Sequence, residues 1–349
     1  MSLLKEKNIR TTSVSEIGEF KLIDQVTKSF ISKNKNTIFA IGDDAAVLKV
    51  DKNKLQLLSS DMLVEGVHFD LSYTPLKHLG YKSVIVNASD IYAMNGMPKQ
   101  IMISIAVSNR FSVESIEELY SGVQLACEKY NIDLIGGDTT SSQSGMVISV
   151  TVIGEVAKNN ISYRKGAKKN DLLVVTGDLG ASYLGLQILK REKKIFLENP
   201  EIQPDLQGHD YTIGRQLKPN SKEDIIKKFQ NLNIVPTSMI DISDGLSSEI
   251  LHISKSSNVG VTIYEDKIPL DPTTISLASE LNLNPVICAL SGGEDYELLF
   301  TIDQDNYEKI KQDPDFSIIG HITDISEGNN LVDNTSSLHR ITAQGWDSF

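Results

Sequence analysis

Cysteine is scarce in this sequence, because only Cys127 and Cys288 occur among 349 residues. Two isolated cysteines are too few for a disulfide framework or a cysteine-based zinc site. Long hydrophobic stretches are also missing, since no uncharged apolar run approaches the roughly 18 residues that a membrane helix needs. The N-terminal region mixes charges with apolar residues and has no segment of signal-peptide type. These absences predict a cytoplasmic protein without membrane attachment.

Positive charge is in the minority, with 34 Lys and Arg residues against 46 Asp and Glu residues and a formal net charge of −12. A nucleic-acid ligand requires a basic surface, because binding depends on neutralising its phosphates. We therefore predict no nucleic-acid partner. An acidic chain binds phosphate groups most readily through cations that it shares with them.

The widespread phosphate-binding loops are absent as well. No two of the 23 glycines lie two positions apart, so G-x-G-x-x-G cannot occur, and G-x-x-x-x-G-K-[ST] is also missing. These absences disfavour loops of the Rossmann, Walker and protein-kinase types. H-E-x-x-H does not occur, and the six histidines show no metal-ligand spacing.

The chain is longer than a single hydrophobic core usually supports, so we predict two domains. Strand-like and helix-like stretches alternate in the first half, and a long strand over 146–156 closes it. We place the domain boundary near 156–170. The predicted fold class is α/β (α+β), with an N-terminal mixed sheet and helices in residues 1–160 and a C-terminal α/β domain in 161–349.

Two helices are predicted in the first domain. Segment 76–96 is apolar on almost every side, which is typical of a buried helix, and it contains Asp90. A buried aspartate needs a partner. The second helix covers about 112–130, with Ser112 as its N-cap.

Segment 196–224 is polar, lacks clear periodicity and contains Pro200, Pro204 and Pro219. Prolines and polar residues without periodicity favour a surface loop. We therefore predict a surface excursion here and assign no chemistry to it.

Aspartates recur at the ends of apolar stretches. The five strings are "IGDD" (41–44), "LLSSD" (57–61), "VNASD" (86–90), "LIGGD" (134–138) and "MIDISD" (239–244). One such string is weak evidence, because an aspartate after a strand often caps a helix, and this alternative stays open for Asp241 and Asp244. Gathered in one cleft, however, the carboxylates would raise one another's pKa unless a divalent cation bridged them. Mg²⁺ is the natural cation, since it prefers oxygen ligands and shares them with phosphates.

A second dense string, "SGGEDYEL" (291–298), precedes an apolar strand. Gly292 and Gly293 permit a close backbone approach, and Glu294, Asp295 and Glu297 supply hydrogen-bond acceptors. The alternative is a tight glycine turn with solvent-exposed acids.

Taken in order, these strings and their neighbours resemble the thiamine-monophosphate kinase family. The matching strings are "GEFKLI", "IGDDAAVL", "SSDMLVEGVHF", "YKSVIVNASDIYAMNGMPK", "IDLIGGDT", "DISDGLSSEI", "SGGEDYEL" and "GWDSF". The wider superfamily, similar in fold, includes aminoimidazole ribonucleotide synthetase, selenophosphate synthetase and a hydrogenase-maturation protein. The resemblance implies that a homodimer phosphorylates thiamine monophosphate to thiamine diphosphate, with ATP as co-substrate and several Mg²⁺ ions.

The resemblance also implies site residues. Those that match Mg²⁺ ligands are Asp44, Ser59, Ser60, Asp61, Asp90, Asp138, Asp241 and Asp244. Those that match ATP contacts are Tyr120, Gly137, Asp138, Arg164 and Ser243. Those that match positions facing the thiamine phosphate are His68, Glu294 and Trp346. The neighbouring Asp43 is an alternative to Asp44 as the ligand.

No general base is implied, and the chemistry of the acceptor explains why. The second pKa of a phosphate monoester is about 6, so the acceptor is mostly ionised at neutral pH. The enzyme then has to position the two substrates and neutralise their charge, as in other phosphoryl transfers. Two alternatives remain: another enzyme of the superfamily that activates a carboxamide or selenide, and a non-catalytic sensor of nucleotide or divalent cation.

Overall fold

The computed structural model describes residues 35–343, apart from residues 41 and 51, and contains two sheets. The six strands of the first sheet are β1 (Thr37–Phe39), β2 (Ala46–Lys49), β3 (Lys54–Val64), β4 (Met97–Val107), β5 (Asp133–Ser141) and β6 (Val147–Ala157). They are arranged in the order β1-β2-β3-β6-β4-β5. Only the β4–β5 pair among these neighbours is parallel, so the sheet is mixed, as predicted.

Helices α1 (Leu76–Ala93) and α2 (Val113–Tyr130) belong to the first half of the chain. Both predicted helices are therefore confirmed, and the Ser112 side chain caps α2 by accepting the Ser115 N–H at 3.2 Å. Helix α1 is buried along most of its length and ends three residues before the predicted end. The chain leaves the helix there because Asn95 adopts a left-handed conformation with φ of 58°.

Two glycines allow α1 and α2 to pack in backbone contact. A Cβ atom on Gly80 would lie 1.9 Å from the Leu119 carbonyl oxygen, and one on Gly122 would lie 1.9 Å from the Lys77 carbonyl oxygen. No other residue type fits at either position without moving a helix. This contact sets the position of α1, which carries Asp90.

The second sheet has seven strands in the order β13-β12-β9-β11-β7-β10-β8. They are β7 (Leu172–Thr176), β8 (Ser238–Asp241), β9 (Gly260–Tyr264), β10 (Leu298–Ile302), β11 (Phe316–Thr323), β12 (Asn329–Val332) and β13 (Leu338–Arg340). The helices of this half are α3 (Ala181–Glu198), α4 (Asp210–Leu217), α5 (Glu223–Leu232), α6 (Leu246–Ser257), α7 (Pro272–Glu280), α8 (Pro285–Ser291) and α9 (Tyr307–Ile310). Two mixed sheets with helices confirm the predicted α/β (α+β) class.

The prediction of a surface excursion over 196–224 is wrong in part. The segment contains α4, in which Thr212, Gln216 and Leu217 are buried. The polar residues Arg215 and Gln216 of α4 contact other polar side chains of the fold instead of apolar ones. The helix therefore has no continuous apolar stripe to reveal it.

The two halves share a hydrophobic core around α1. Ala88 and Tyr92 on the outer side of this helix join a buried cluster with Met239, Phe229 and Phe300 of the second half. Phe229 and Phe300 meet edge to face with ring centroids 5.0 Å apart. Helix α1 is consequently packed against both sheets. Among the described residues, no helix is long and apolar enough to cross a bilayer.

Candidate active site

Three aspartates meet where the two halves of the chain join. Asp44 follows β1, Asp90 lies on α1, and Asp241 is the last residue of β8. Each offers one carboxylate oxygen, and these oxygens lie within 4.8 Å of one another. Asp44 and Asp241 are buried, with 7% and 4% of their surface exposed. Like charges at this separation away from water repel strongly.

The pKa values of Asp90 and Asp241 are raised, and repulsion from neighbouring carboxylates contributes to both shifts. Burial, with the charge of Asp44 next in weight, raises the pKa of Asp241 to about 8. Burial also raises the pKa of Asp90 well above its usual range, and the charges of Asp61 and Asp241 raise it further. A divalent cation would reverse these shifts by favouring the charged forms. An all-oxygen donor set of this kind fits Mg²⁺.

Arg164 supplies the positive charge nearest to the cluster. Its Nε and Nη2 donate to the two carboxylate oxygens of Asp44 at 3.0 and 2.9 Å, a bidentate pair. The Arg164 backbone N–H donates to both oxygens of Asp43 at 3.3 and 3.2 Å. Burial and the neighbouring Asp44 raise the pKa of Asp43 to about 7. The two adjacent aspartates therefore contact different parts of one arginine, and only Asp44 belongs to the three-carboxylate cluster.

The string "VNASD" on α1 contacts strands of both sheets. The Asn87 side-chain oxygen accepts the Asp61 backbone N–H at 3.1 Å. The Ser89 hydroxyl donates to Asp241 at 2.6 Å, and Ser59 donates to Asp90. Sequence reasoning missed Asn87 and Ser89. Their signal in the sequence was that both are polar residues in a segment that is apolar on almost every side. The structure shows that both are buried, and buried polar groups need hydrogen-bond partners.

Strand β3 divides its three predicted ligands between two faces. Alternate side chains of a strand point to opposite faces, so Ser59 and Asp61 share the face toward α1 while Ser60 points away. The Ser60 hydroxyl instead lies 2.9 Å from the hydroxyl of Thr151 on β6. The structure thus brings Ser59 and Asp61 toward the carboxylate cluster and separates the side chain of Ser60 from it.

Asp244 lies in the turn between β8 and α6. Gly245, rather than Asp241 or Asp244, occupies the N-cap position of α6. The Asp244 backbone N–H donates to Glu249 at 2.9 Å, and burial raises the pKa of Glu249 well above its usual range. Sequence reasoning missed Glu249. Its position in the first turn of a helix is common for an acidic residue and did not point to the site.

Three of the predicted ATP contacts line one open cleft of about 450 Å³ between α2 and β5. These are Tyr120, Gly137 and Asp138. A Cβ atom on Gly137 would lie 1.7 Å from the Ile103 carbonyl oxygen, so only glycine permits this approach of β5 to β4. Asp138 is exposed and accepts the Thr139 N–H at 2.9 Å. The other two predicted contacts, Arg164 and Ser243, lie in the loop after β6 and the turn after β8.

The predicted acceptor residues His68 and Glu294 lie on different elements. His68 Nδ1 accepts the Val64 N–H at 3.0 Å, which places the proton of the neutral imidazole on Nε2. Glu294 follows α8, and its carboxylate accepts hydrogen bonds from Lys82 at 3.2 Å and from Gln216 at 2.6 Å. Trp346, the third predicted residue, lies outside the described residues.

The string "SGGEDYEL" is not a solvent-exposed turn. Asp295 and Glu297 are 2% and 1% exposed, which excludes the alternative of solvated acids. Arg215 on α4 donates to Glu297 at 2.8 Å, and Lys222 contacts the same carboxylate at 2.5 Å. The buried acids are therefore paired with cations from the segment that was predicted to be a surface excursion.

Comparison with known proteins agrees with the predicted fold class. Residues 42–156 match the family described as AIR synthase related protein, N-terminal domain, so the first half of the chain contains a domain of this class. Curated thiamine-monophosphate kinases from Buchnera aphidicola (subsp. Schizaphis graminum) and Bacillus subtilis are 38% and 36% identical. The first match covers 93% of this chain and 96% of the relative, and the second covers 85% and 87%.

A solved structure described as AaThiL complexed with AMPPCP and TMP is also similar. It has a TM-score of 0.81 and 33% identity, over 97% of this chain and 99% of that one. The chain therefore belongs to the thiamine-monophosphate kinase family, which confirms the resemblance and the enzyme class predicted from sequence.

Proposed function

We propose that the protein transfers the γ-phosphoryl group of ATP to thiamine monophosphate, giving thiamine diphosphate and ADP. The curated relatives are thiamine-monophosphate kinases, and AaThiL was solved with AMPPCP and TMP. The observation in this structure that carries the proposal is the convergence of Asp44, Asp90 and Asp241, which come from both halves of the chain. Such a cluster suits a reaction between two phosphorylated substrates.

We further propose that Asp44, Asp90 and Asp241 hold Mg²⁺, since their carboxylate oxygens converge and a hard cation would favour the charged forms of Asp90 and Asp241, whose pKa values are raised. Bound there, Mg²⁺ would neutralise negative charge on the reacting phosphates. The other ligands predicted from sequence are Ser59, Ser60, Asp61, Asp138 and Asp244. Among these, Ser60 has the weakest support, because its side chain points away from the carboxylate cluster and toward Thr151.

The proposed reaction is a direct in-line transfer. An ionised oxygen of the acceptor phosphate attacks the γ-phosphorus as the bond to the β,γ-bridging oxygen breaks, and ADP leaves. Because the acceptor is already ionised, the chain supplies no general base. Its task is to bring two anions together, which is why charge pairs dominate the site.

Substrate contacts follow the predictions from sequence. Tyr120, Gly137, Asp138, Arg164 and Ser243 would contact ATP, and His68, Glu294 and Trp346 would contact thiamine monophosphate. Arg164 has a planar fork that suits phosphate oxygens as well as it suits Asp44. Nucleotide binding would therefore compete with Asp44 for this guanidinium group.

We also propose a homodimer that pairs through the first sheet. Met62 and Met102 are 54% and 42% exposed on the face of that sheet opposite to α1. A second copy would cover these apolar side chains. In this proposal, residues 1–160 form the Mg²⁺-ATP-binding and dimerisation domain, and residues 161–349 complete the substrate site. The cytoplasmic location remains a prediction from cysteine usage.

The first test is to incubate the purified protein with ATP, Mg²⁺ and thiamine monophosphate and to follow phosphorus by ³¹P NMR. We expect thiamine diphosphate and ADP in equal amounts, with none in EDTA or without acceptor. ATP hydrolysis without thiamine diphosphate would instead indicate another activity of the superfamily. ATP binding without any product would indicate a sensor.

A further inference from the structure

The backbone around Glu294 has an uncommon conformation. Gly293, Glu294 and Tyr296 all have positive φ, at 71°, 57° and 50°. Residues other than glycine adopt this region rarely, and when they do the surrounding structure must hold them there. Here the Glu294 N–H donates to the Ser243 carbonyl at 2.7 Å and the Tyr296 N–H donates to the Ile242 carbonyl at 2.9 Å. The segment is thus fixed to the turn after β8, beside the carboxylate cluster.

Both oxygens of the Glu294 carboxylate have a donor. Lys82 on α1 donates to one oxygen at 3.2 Å, and Gln216 on α4 donates to the other at 2.6 Å. The two donors are buried, at 4% exposure each, while the Glu294 side chain is 27% exposed. A partly exposed carboxylate that accepts hydrogen bonds from two buried donors is held in one orientation.

The donors are themselves fixed by a closed set of hydrogen bonds. The Lys82 ammonium group also donates to the Gln216 carbonyl oxygen at 2.9 Å. The Ser182 hydroxyl donates to the Gln216 side-chain oxygen at 2.6 Å, so the amide nitrogen must face Glu294. Helices α1, α3 and α4 therefore contribute one residue each to the support of a single carboxylate.

We propose that Gln216 and Lys82 are positioning residues for Glu294, so that α4, within segment 196–224, forms part of the acceptor half of the site. This inference rests on the proposed function, in which Glu294 contacts thiamine monophosphate. The supporting residues touch neither nucleotide nor metal in this scheme. Their loss should consequently affect the acceptor more than ATP.

The principal test is Gln216→Met, which keeps the buried volume and removes both side-chain hydrogen bonds. Losing a hydrogen bond to a charged group should raise the KM for thiamine monophosphate at least about tenfold. The KM for ATP should change less than twofold. Calorimetric titration with thiamine monophosphate, in the presence of AMPPCP and Mg²⁺, should show the same weakening of binding without turnover.

The matched control is Thr212→Val in the same helix. Thr212 is buried and donates to the His209 carbonyl at 3.1 Å, so this change removes a local hydrogen bond without touching Glu294. We expect lower thermal stability and an unchanged KM for thiamine monophosphate. Should Gln216→Met fail to fold, Ser182→Ala is the alternative, because it removes only the hydrogen bond that orients the Gln216 amide. This change should raise the KM for thiamine monophosphate about threefold or more.

A double-mutant cycle decides whether Gln216 acts through Glu294. If it does, Gln216→Met should add little to the loss caused by Glu294→Gln. Equal and additive losses, or an unchanged KM in Gln216→Met and Ser182→Ala, would overturn the inference. These results require an active wild-type enzyme, so they are distinct from a failure of the proposed function, in which the wild type forms no thiamine diphosphate.

Discussion

Replacing Glu297 by glutamine should strongly destabilise the protein while leaving its shape nearly unchanged. The buried carboxylate accepts hydrogen bonds from Thr176 at 2.6 Å and Arg215 at 2.8 Å, and Lys222 lies at 2.5 Å. Glutamine would remove the carboxylate charge from two buried cations, of which Arg215 would keep Asp295 at 3.9 Å and the charge of Asp178. Breaking a buried ion pair costs about 3 to 5 kcal/mol, because the other charge stays uncompensated. For domains of this size the Tm should fall by about 6 to 20 °C.

The effect should also depend on pH in a defined direction. Burial alone would raise the pKa of Glu297, but the charges of Lys222 and Arg215 outweigh burial and the pKa is lowered from 4.5. A carboxyl group with a lowered pKa stabilises the folded state above its unfolded pKa, and this stabilisation is lost as the pH falls. The difference in Tm between wild type and Glu297→Gln should therefore be full at pH 7 and shrink below about pH 4.5.

Thermal unfolding followed by circular dichroism measures both effects. Glu155→Gln is the matched control, since Glu155 pairs with Lys54 at 2.7 Å while the side chains are 43% and 58% exposed. An exposed pair contributes less than about 1 kcal/mol. A Glu297→Gln variant that unfolds within 2 °C of wild type by this assay, or no further from it than Glu155→Gln, would refute the reasoning (roughly 1 kcal/mol corresponds to 2–4 °C).

Three further predictions concern the cluster. Asp61→Asn should reduce phosphoryl transfer at least about a hundredfold, because a predicted ligand of the charge-neutralising Mg²⁺ is lost, while the Tm should stay close to wild type because the side chain is exposed; wild-type turnover of ATP and thiamine monophosphate would reject this role. Arg164→Lys should raise the KM for ATP about tenfold, because lysine lacks the planar fork that would bind two phosphate oxygens at once, and an unchanged KM would contradict this role. In EDTA, stability should fall as the pH rises from about 4 to about 8, since the pKa of Asp241 is raised to about 8 and its protonated form favours folding. Mg²⁺ should flatten that dependence in thermal melts, and equal slopes with and without Mg²⁺ would argue against metal binding at Asp241.

The sequence predicted those elements in which apolar residues dominate, such as helix α1 and strand β6. Helix α1 ends three residues before its predicted end, where Asn95 adopts positive φ, and β6 begins and ends one residue later than predicted. Helix α4 was missed because Arg215 and Gln216 face acidic residues that lie 78 or more residues away in sequence. A pairing between distant charged residues leaves no periodic pattern in either segment.

The site was predicted to a similar extent. Carboxylates at the ends of apolar stretches are visible in sequence, and Asp44, Asp90 and Asp241 do meet. The residues that orient them are harder to find, since Asn87 and Ser89 are ordinary polar residues whose role appears only once their distant partners are known. Resemblance to a family predicted the ligands, whereas the structure showed which polar residues contact them.

The position of helix α1 affects the folding free energy of this protein. Because packing on both sheets brings the three carboxylates together, their repulsion is a cost of folding and not of ligand binding. In the proposed metal site, an arriving cation would meet oxygens that are already assembled and would relieve their repulsion. The fold would then give up stability in the metal-free state for a prearranged site, a trade-off between stability and activity that is located in one helix.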